Sequence, residues 1–186
     1  MGIIIVKLLI NFEWSDFMSK SETPDYDVLM KEDKFEIRKY VDFFIVEYEN
    51  VNDPEIMNGF GSLFKYISSD NKENEKISMT TPVIQEVTKE KKKMAFVVPG
   101  KFGENIPEPN NPNLKVKKFD EGLFGAIQYS GLSNKSKELK MKKKLEEWIL
   151  EKGYISQSNY MLAFYNAPFV PPMLRRNEIW VRIIEA

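Results

Sequence analysis

Apolar and polar residues alternate with a period of two over several short stretches of this chain and recur at helical spacing over two others. Phe35 and Ile37 alternate with Glu36 and Arg38, residues 26–30 are short and apolar, and residues 43–51 carry a second, mostly apolar run. These stretches predict paired strands. Asp53-Pro54-Glu55 then reads as a helix start, with Asp53 placed to cap free amides and Pro54 in the first turn, where a missing N–H costs nothing. Ile56, Met57, Phe60, Leu63, Phe64 and Ile67 follow on one wide apolar face. Gly59 and Gly61 each weaken such a helix by about 1 kcal/mol relative to alanine, which points to something packed close to the backbone. Residues 77–87 and 94–98 predict two more strands around a solvated lysine-rich tip at 89–93. Pro82 cannot donate to a ladder, so it belongs at a sheet edge, at a bulge or as a strand's first residue.

A turn-rich connector, residues 99–113, separates this half from a second one of the same order. Residues 114–119 and 123–130 predict strands, Ser136 caps a helix with Met141, Leu145, Trp148 and Ile149 on one face, and Gly153 suits its C-terminal cap. Residues 160–166 and 178–184 predict a closing antiparallel pair, with Ile179 and Trp180 on opposite faces. Each half therefore reads strand, strand, helix, strand, strand. The pattern predicts an α+β fold of duplicated ββαββ units, with pseudo-repeats at about 25–98 and 114–184. Their strands form a curved antiparallel sheet or distorted β-barrel with two flanking helices, and a groove lies where the halves meet.

Between the last two strands runs a loop that Pro168, Pro171 and Pro172 keep from regular structure. Its Phe169, Val170, Met173 and Leu174 would be an awkward group to leave in water, so the loop covers either the domain's own core or an apolar ligand. Arg175 and Arg176 close it. These arginines either meet an acidic ligand or fasten the loop.

Composition narrows the chemistry. The 186 residues contain no histidine and no cysteine, which excludes disulfides, thiolate nucleophiles, imidazole bases, ordinary zinc sites and imidazole-ligated haem. With no glycine-rich phosphate loop and no metal-ligand spacing either, the chain is predicted not to be an enzyme. Lys plus Arg (27) nearly balances Asp plus Glu (28), so no global field attracts nucleic acid or an acidic membrane. The basic cluster at 137–144 reads as a solvated helical face.

Residues 1–17 are the odd segment: an apolar run interrupted by Lys7, short of the about 20 residues that a membrane-spanning helix needs. They are predicted to be an apolar N-terminal extension that packs or lies at an interface, ahead of a single domain at 18–186. A true start at Met18 and export are the alternatives. Cytoplasmic placement, with no transmembrane segment, is the expectation.

Three segments carry a family resemblance. They are Lys76-Ile77-Ser78-Met79-Thr80-Thr81-Pro82-Val83, Tyr165-Asn166-Ala167-Pro168, and Arg176-Asn177-Glu178-Ile179-Trp180. Phe35-Glu36-Ile37-Arg38, the stretch from Phe60 to Tyr66-Ile67, and Pro107-Glu108-Pro109 support them in order. Together they resemble the signature segments of the SOUL haem-binding protein family over residues 25–183. The resemblance implies a duplicated α+β barrel, related in fold to bacterial effector-binding domains, that takes haem or another tetrapyrrole in a hydrophobic groove. The positions it implies here are Met57, Phe60, Leu63 and Phe64 on the first helix and Phe169, Val170, Met173 and Leu174 in the loop, with Lys65, Arg175 or Arg176 facing the propionates. A histidine near the first helix, which some members use, has no counterpart here, so neither a His nor a Cys ligand is available to the iron.

The expected function is non-enzymatic binding or carriage of haem or another porphyrin, with a small apolar or tetrapyrrole molecule as partner and no protein partner indicated. The alternative is a small-molecule effector sensor or protein-interaction module without haem. An acidic group at the groove floor, suited to cations, would favour that alternative, and Glu47, Glu86 and Glu178 are the candidates.

Overall fold

The alternating stretches fold into strands and the two helical stretches into helices. A computed structural model of the chain describes residues 21–53, 55–88 and 92–186. In chain order the elements are β1 (Tyr26–Glu32), β2 (Phe35–Tyr40), β3 (Phe43–Tyr48), α1 (Gly59–Ile67), β4 (Val83–Val87), β5 (Lys92–Val97), β6 (Leu114–Phe119), β7 (Gly122–Tyr129), α2 (Lys135–Glu151), β8 (Tyr154–Ser156), β9 (Met161–Phe164) and β10 (Asn177–Glu185). The extension expected at 1–17 lies outside the described residues, as does the turn at 89–91. Lys92 and Lys93, assigned above to that turn, instead begin β5.

All pairings are antiparallel, in the order β1-β2-β7-β10-β9-β4-β5-β3-β6, with β8 added to β10. Read outward from the central β4–β9 pair, both directions give the same succession. β5, β3 and β6 follow on one side, and β10, β7 and β2 on the other. The sheet is curved, because rings on β2 and β7 reach rings on β3 and β6 from opposite ends of the order: Tyr40–Phe43 at 6.1 Å and Phe119–Phe124 at 5.5 Å between centroids. It is not a closed barrel. Among the described residues no pairing joins β1 to β6, so of the two expected forms the open curved sheet is the one observed.

Strand alternation divides the core into three parts. On the outer face, Val46, Tyr48, Met94 and Phe96 pack under Leu63, Tyr66 and Ile67 of α1. Ile127, Ile179, Val181 and Ile183 pack under Leu145, Trp148 and Ile149 of α2. The inner face carries Tyr40, Ile45, Ile84, Val97, Phe124, Met161 and Trp180 and no helical residue. Gly125 lets α2 approach the sheet: a Cβ there would lie 2.7 Å from Ile149 Cγ2.

The helix starts differ from the sequence reading. α1 begins at Gly59, later than the start read at 53–55, because residues 55–58 form turns in which Ile56 takes φ 53°. Asp53 still caps: its carboxylate accepts from the amides of Met57 and Asn58, each at 2.9 Å, and from the Tyr48 hydroxyl at 2.9 Å. Those donors, the Asn58 amide foremost, hold its carboxyl below the usual range. Asp53→Ala is expected to lower the thermal midpoint by a few degrees without changing the far-ultraviolet circular dichroism of the folded state. Of the two glycines, Gly59 is the packed one, since a Cβ there would meet Tyr48 Cδ1 at 3.2 Å, whereas Gly61 faces open space. At α2 the cap is Asn134, whose side chain accepts from the Lys137 amide at 3.0 Å, and not Ser136.

Candidate ligand-binding site

The closing strand pair forms as expected, β9 against β10, with Phe164 opposite Asn177 and Met161 opposite Trp180. Registers across the sheet then place Phe96, Val83, Phe164, Asn177 and Tyr129 in one row, on the strands β5, β4, β9, β10 and β7. Directly opposite residues share a face, so this row runs along the outer side from under α1 to the turn that leads into α2. Its middle members, Val83 and Phe164, are half-buried and lie between the two helix-covered clusters. They floor the strip of sheet beside α1 where the sequence reading expects a groove.

One wall is α1. Phe60 sets its ring edge-on to Phe96 at 5.4 Å and stacks with Phe64 at 6.1 Å, yet both rings remain about half exposed. Met57 precedes them at 83% exposure. Leu63, in contrast, is wholly buried in the core beneath the helix and faces away from this wall. Lys65 is exposed beside Phe64 and has no ion-pair partner among the described residues.

The loop closes the far end, about three strand spacings, or roughly 14 Å, from Phe96. Asn177 Nδ2 donates to Gly131 O at 2.9 Å, Gly131 N donates to Pro172 O at 2.8 Å, and Arg176 N donates to Asn166 Oδ1 at 2.7 Å. Residues Pro172–Leu174 form a single 3-10 turn. Phe169, Met173 and Leu174 are exposed, so the loop does not plug the core, and Val170 is half-buried. The apolar positions of helix and loop thus border the same strip of sheet from opposite ends. Two surface recesses, of about 510 Å³ between residues 106 and 117 and about 210 Å³ beside residues 22–25 and 97–103, share no residue with this groove.

The two arginines are occupied. Arg175 donates through Nε to Val170 O at 2.8 Å and through Nη2 to Pro168 O, which pins the loop. Arg176 donates from Nε and Nη2 to Glu178 Oε1 at 2.9 and 2.7 Å and lies over the Tyr165 ring at 4.0 Å. Of the three cations named from sequence, Lys65 is therefore the one available to an acidic ligand.

The acidic candidates are also placed. Glu178 is 0% exposed, on the inner face. Its Oε1 accepts from Arg38 Nη2 and twice from Arg176, and its Oε2 accepts from Arg38 Nη1 at 2.7 Å, Trp180 Nε1 at 2.6 Å and Tyr165 Oη at 3.0 Å. Burial pushes its carboxyl up, but the Arg38 and Arg176 guanidiniums and the Trp180 indole together outweigh burial and hold it down at about 2. The Arg38–Glu178–Trp180 network carried no signal in sequence beyond the resemblance, because its partners lie far apart in the chain. Glu47 is held by Lys93 and Lys117 at 3.5 and 2.5 Å, and Glu86 accepts from Asn159 Nδ2 at 2.8 Å. Glu178 and Glu47 thus already have their cations, while Glu86 is held by a neutral amide.

Iron would find few ligands here. Among the described residues no three His, Cys, Asp or Glu side chains group to hold a metal. Burial raises the phenols of Tyr40, Tyr48, Tyr66 and Tyr165 above their ordinary range, which keeps them protonated near neutrality. The apolar groove suits a macrocycle face, and Met57 and Met173 offer the exposed thioethers beside it.

The family model described as SOUL heme-binding protein matches residues 21–182. The chain belongs to the SOUL family. No protein of curated function matches its sequence. Among solved structures, the crystal structure of the EcmrR C-terminal domain aligns with a TM-score of 0.59 at 11% identity, covering 87% of this chain and 99% of that one. EcmrR bound to DNA, in a cryo-EM complex, aligns at 0.59 and 11% identity over 82% of this chain and 57% of that one. A hydrolase from Listeria innocua aligns at 0.57 and 11% identity over 91% and 96%. Identities this low show a shared fold alone. This SOUL chain therefore has the effector-binding-domain-like fold expected of it, and no helix among its described residues is long and apolar enough to cross a membrane.

Proposed function

We propose that the protein binds haem or a related tetrapyrrole, without catalysing a reaction on it, in the groove between α1 and the 168–174 loop. The observation that carries this reading is the unburied apolar wall of α1, Met57, Phe60 and Phe64, set beside the half-buried floor residues Val83 and Phe164 in a SOUL chain. Bound haem would supply a planar apolar face and an iron centre. The residues here would bury that face, and Lys65 would meet a propionate at the rim. With neither imidazole nor thiolate present, affinity comes from burying the macrocycle, at about 25 cal/mol per Å² of apolar area before ordering costs. A cation-sensing role, the second reading, would be favoured by an uncompensated acid on the inner face. The saturation of Glu178 by Arg38 and Arg176 speaks against it.

Titration of the purified protein with haemin and with metal-free porphyrin, followed by absorbance and tryptophan quenching, tests the reading. Both are expected to bind with similar affinity. Phe64→Ala should weaken both by about 1–2 kcal/mol, because the ring is only half exposed before the ligand arrives. Lys65→Ala should weaken free propionates more than their esters. Saturable binding of haemin alone, abolished by a single Met substitution, would show a true axial ligand and defeat this mechanism. No saturable binding of either compound would defeat the function itself.

A further inference from the structure

The first half of α2 is a surface that tetrapyrrole binding does not use. Between Lys135 and Lys144 it carries six lysines, at 135, 137, 140, 142, 143 and 144, against one acid, Glu138, in a chain of net charge −1. Positive charge is therefore concentrated locally in a protein that has none overall. Lys143 pairs with Glu147 at a loose 3.7 Å, while Lys135, Lys140 and Lys144 have no ion-pair partner among the described residues. Helical spacing spreads these lysines around the helix, so they make a diffuse field in place of a stripe cut to one partner.

The same end of the molecule presents apolar side chains. The Gly131–Pro172 hydrogen bond at 2.8 Å joins the proline-rich loop to the turn before α2. Leu132, Leu139, Met173 and Leu174 are all exposed, Met173 at 72%. Four of the loop's carbonyls already have partners: Pro168 O and Val170 O bond to Arg175, Pro171 O to Leu174 N, and Pro172 O to Arg175 N and Gly131 N. Those bonds survive if only the side chains enter an apolar medium and the backbone stays at the polar boundary, which limits the cost of placing irregular backbone near lipid.

We propose that this end of the protein docks on an anionic lipid bilayer, with Leu132, Met173 and Leu174 at the acyl boundary and the α2 lysines over the headgroups. Protruding apolar tips flanked by diffuse positive charge suit a deformable charged surface, whereas a shaped protein groove would need complementary placement. Docking stands independently of tetrapyrrole binding and places the mouth of the groove near the membrane.

Co-sedimentation of the full chain with phosphatidylcholine vesicles, with and without phosphatidylserine, tests it. Retention is expected on phosphatidylserine vesicles only, and it should weaken as salt is raised. Lys135→Glu with Lys140→Glu and Lys143→Glu should lower the partition by about tenfold or more. Leu132→Ser with Leu139→Ser should lower it several-fold, and both variants should retain wild-type porphyrin binding and circular dichroism. Equal retention by both vesicle types, no retention, or retention unchanged in the lysine variant would each overturn the proposal, the last by assigning attraction to another part of the chain. Equal capture by an anionic lipid-free resin would reduce the contact to charge and overturn the bilayer as its occupant.

Discussion

Glu178→Ala should destabilise the fold by about 3 kcal/mol, measured as a fall in the urea midpoint at neutral pH, because it strips the buried Arg38 guanidinium of its fully buried carboxylate and leaves it the Glu36 carboxylate alone. Arg38 is 2% exposed and donates two hydrogen bonds to Glu178, at 2.7 and 3.0 Å, beside one from Nε to Glu36 Oε2 at 2.7 Å. Arg38→Ala should cost a comparable amount, softened by Arg176, which also reaches Glu178. Arg38→Leu with Glu178→Leu should recover much of the loss, since removing both charges removes both desolvation costs. The pH dependence has a definite sign. The carboxyl is depressed from 4.5 to about 2 in the folded protein. Its contribution, on the order of 3 kcal/mol, is therefore fully present above about pH 4.5 and is lost as pH falls toward 2. The stability difference between wild type and Glu178→Gln should accordingly shrink over that window. A difference that stays constant from pH 7 to 2.5 would show that Glu178 is not the titrating group.

Trp180→Ala should cost about 3–5 kcal/mol for a different reason. Trp180 is 0% exposed at the centre of the inner face, 5.2 Å from the Tyr40 ring, and the curved sheet around it cannot collapse into the space that it leaves. The indole also donates to Glu178 Oε2 at 2.6 Å, so alanine removes packing and a hydrogen bond together. Trp180→Phe separates the two terms. It keeps most of the ring volume, loses the N–H, and should cost about 1–3 kcal/mol, the range for leaving a charged acceptor short of one donor. Thermal unfolding with matched denaturant melts measures both. Equal losses for the two variants would mean that the hydrogen bond dominates and that packing adds little.

The arginines show why the site was only partly legible. The sequence placed Arg175 and Arg176 beside an apolar loop and left two roles open. Their donors turn inward, to Val170, Pro168 and Glu178, so both fasten the structure. Lys65, with the same formal charge, stays exposed on α1 and forms no ion pair among the described residues. Leu63 belongs to the same apolar stripe as Phe60 and Phe64, yet a helix stripe is wide enough for one edge to be buried and the other left open. Periodicity cannot say which edge.

Local sequence did determine the order of the elements apart from the short β8, the strand faces and the antiparallel β9–β10 pair, and it kept Pro82 out of the ladder, although β4 starts at Val83 and not at residue 77. Each of these follows from side-chain period or from a missing backbone donor, properties that a short stretch carries by itself. The absence of histidine and cysteine likewise fixed, without any structure, which iron ligands this chain lacks. Tertiary structure alone decided that the sheet stays open, that α1 starts at Gly59, and that the buried carboxylate of Glu178 meets an arginine 140 residues away. Those outcomes depend on which distant strands pair and on how far the sheet curls, and such long-range contacts leave no periodic trace in the residues that make them.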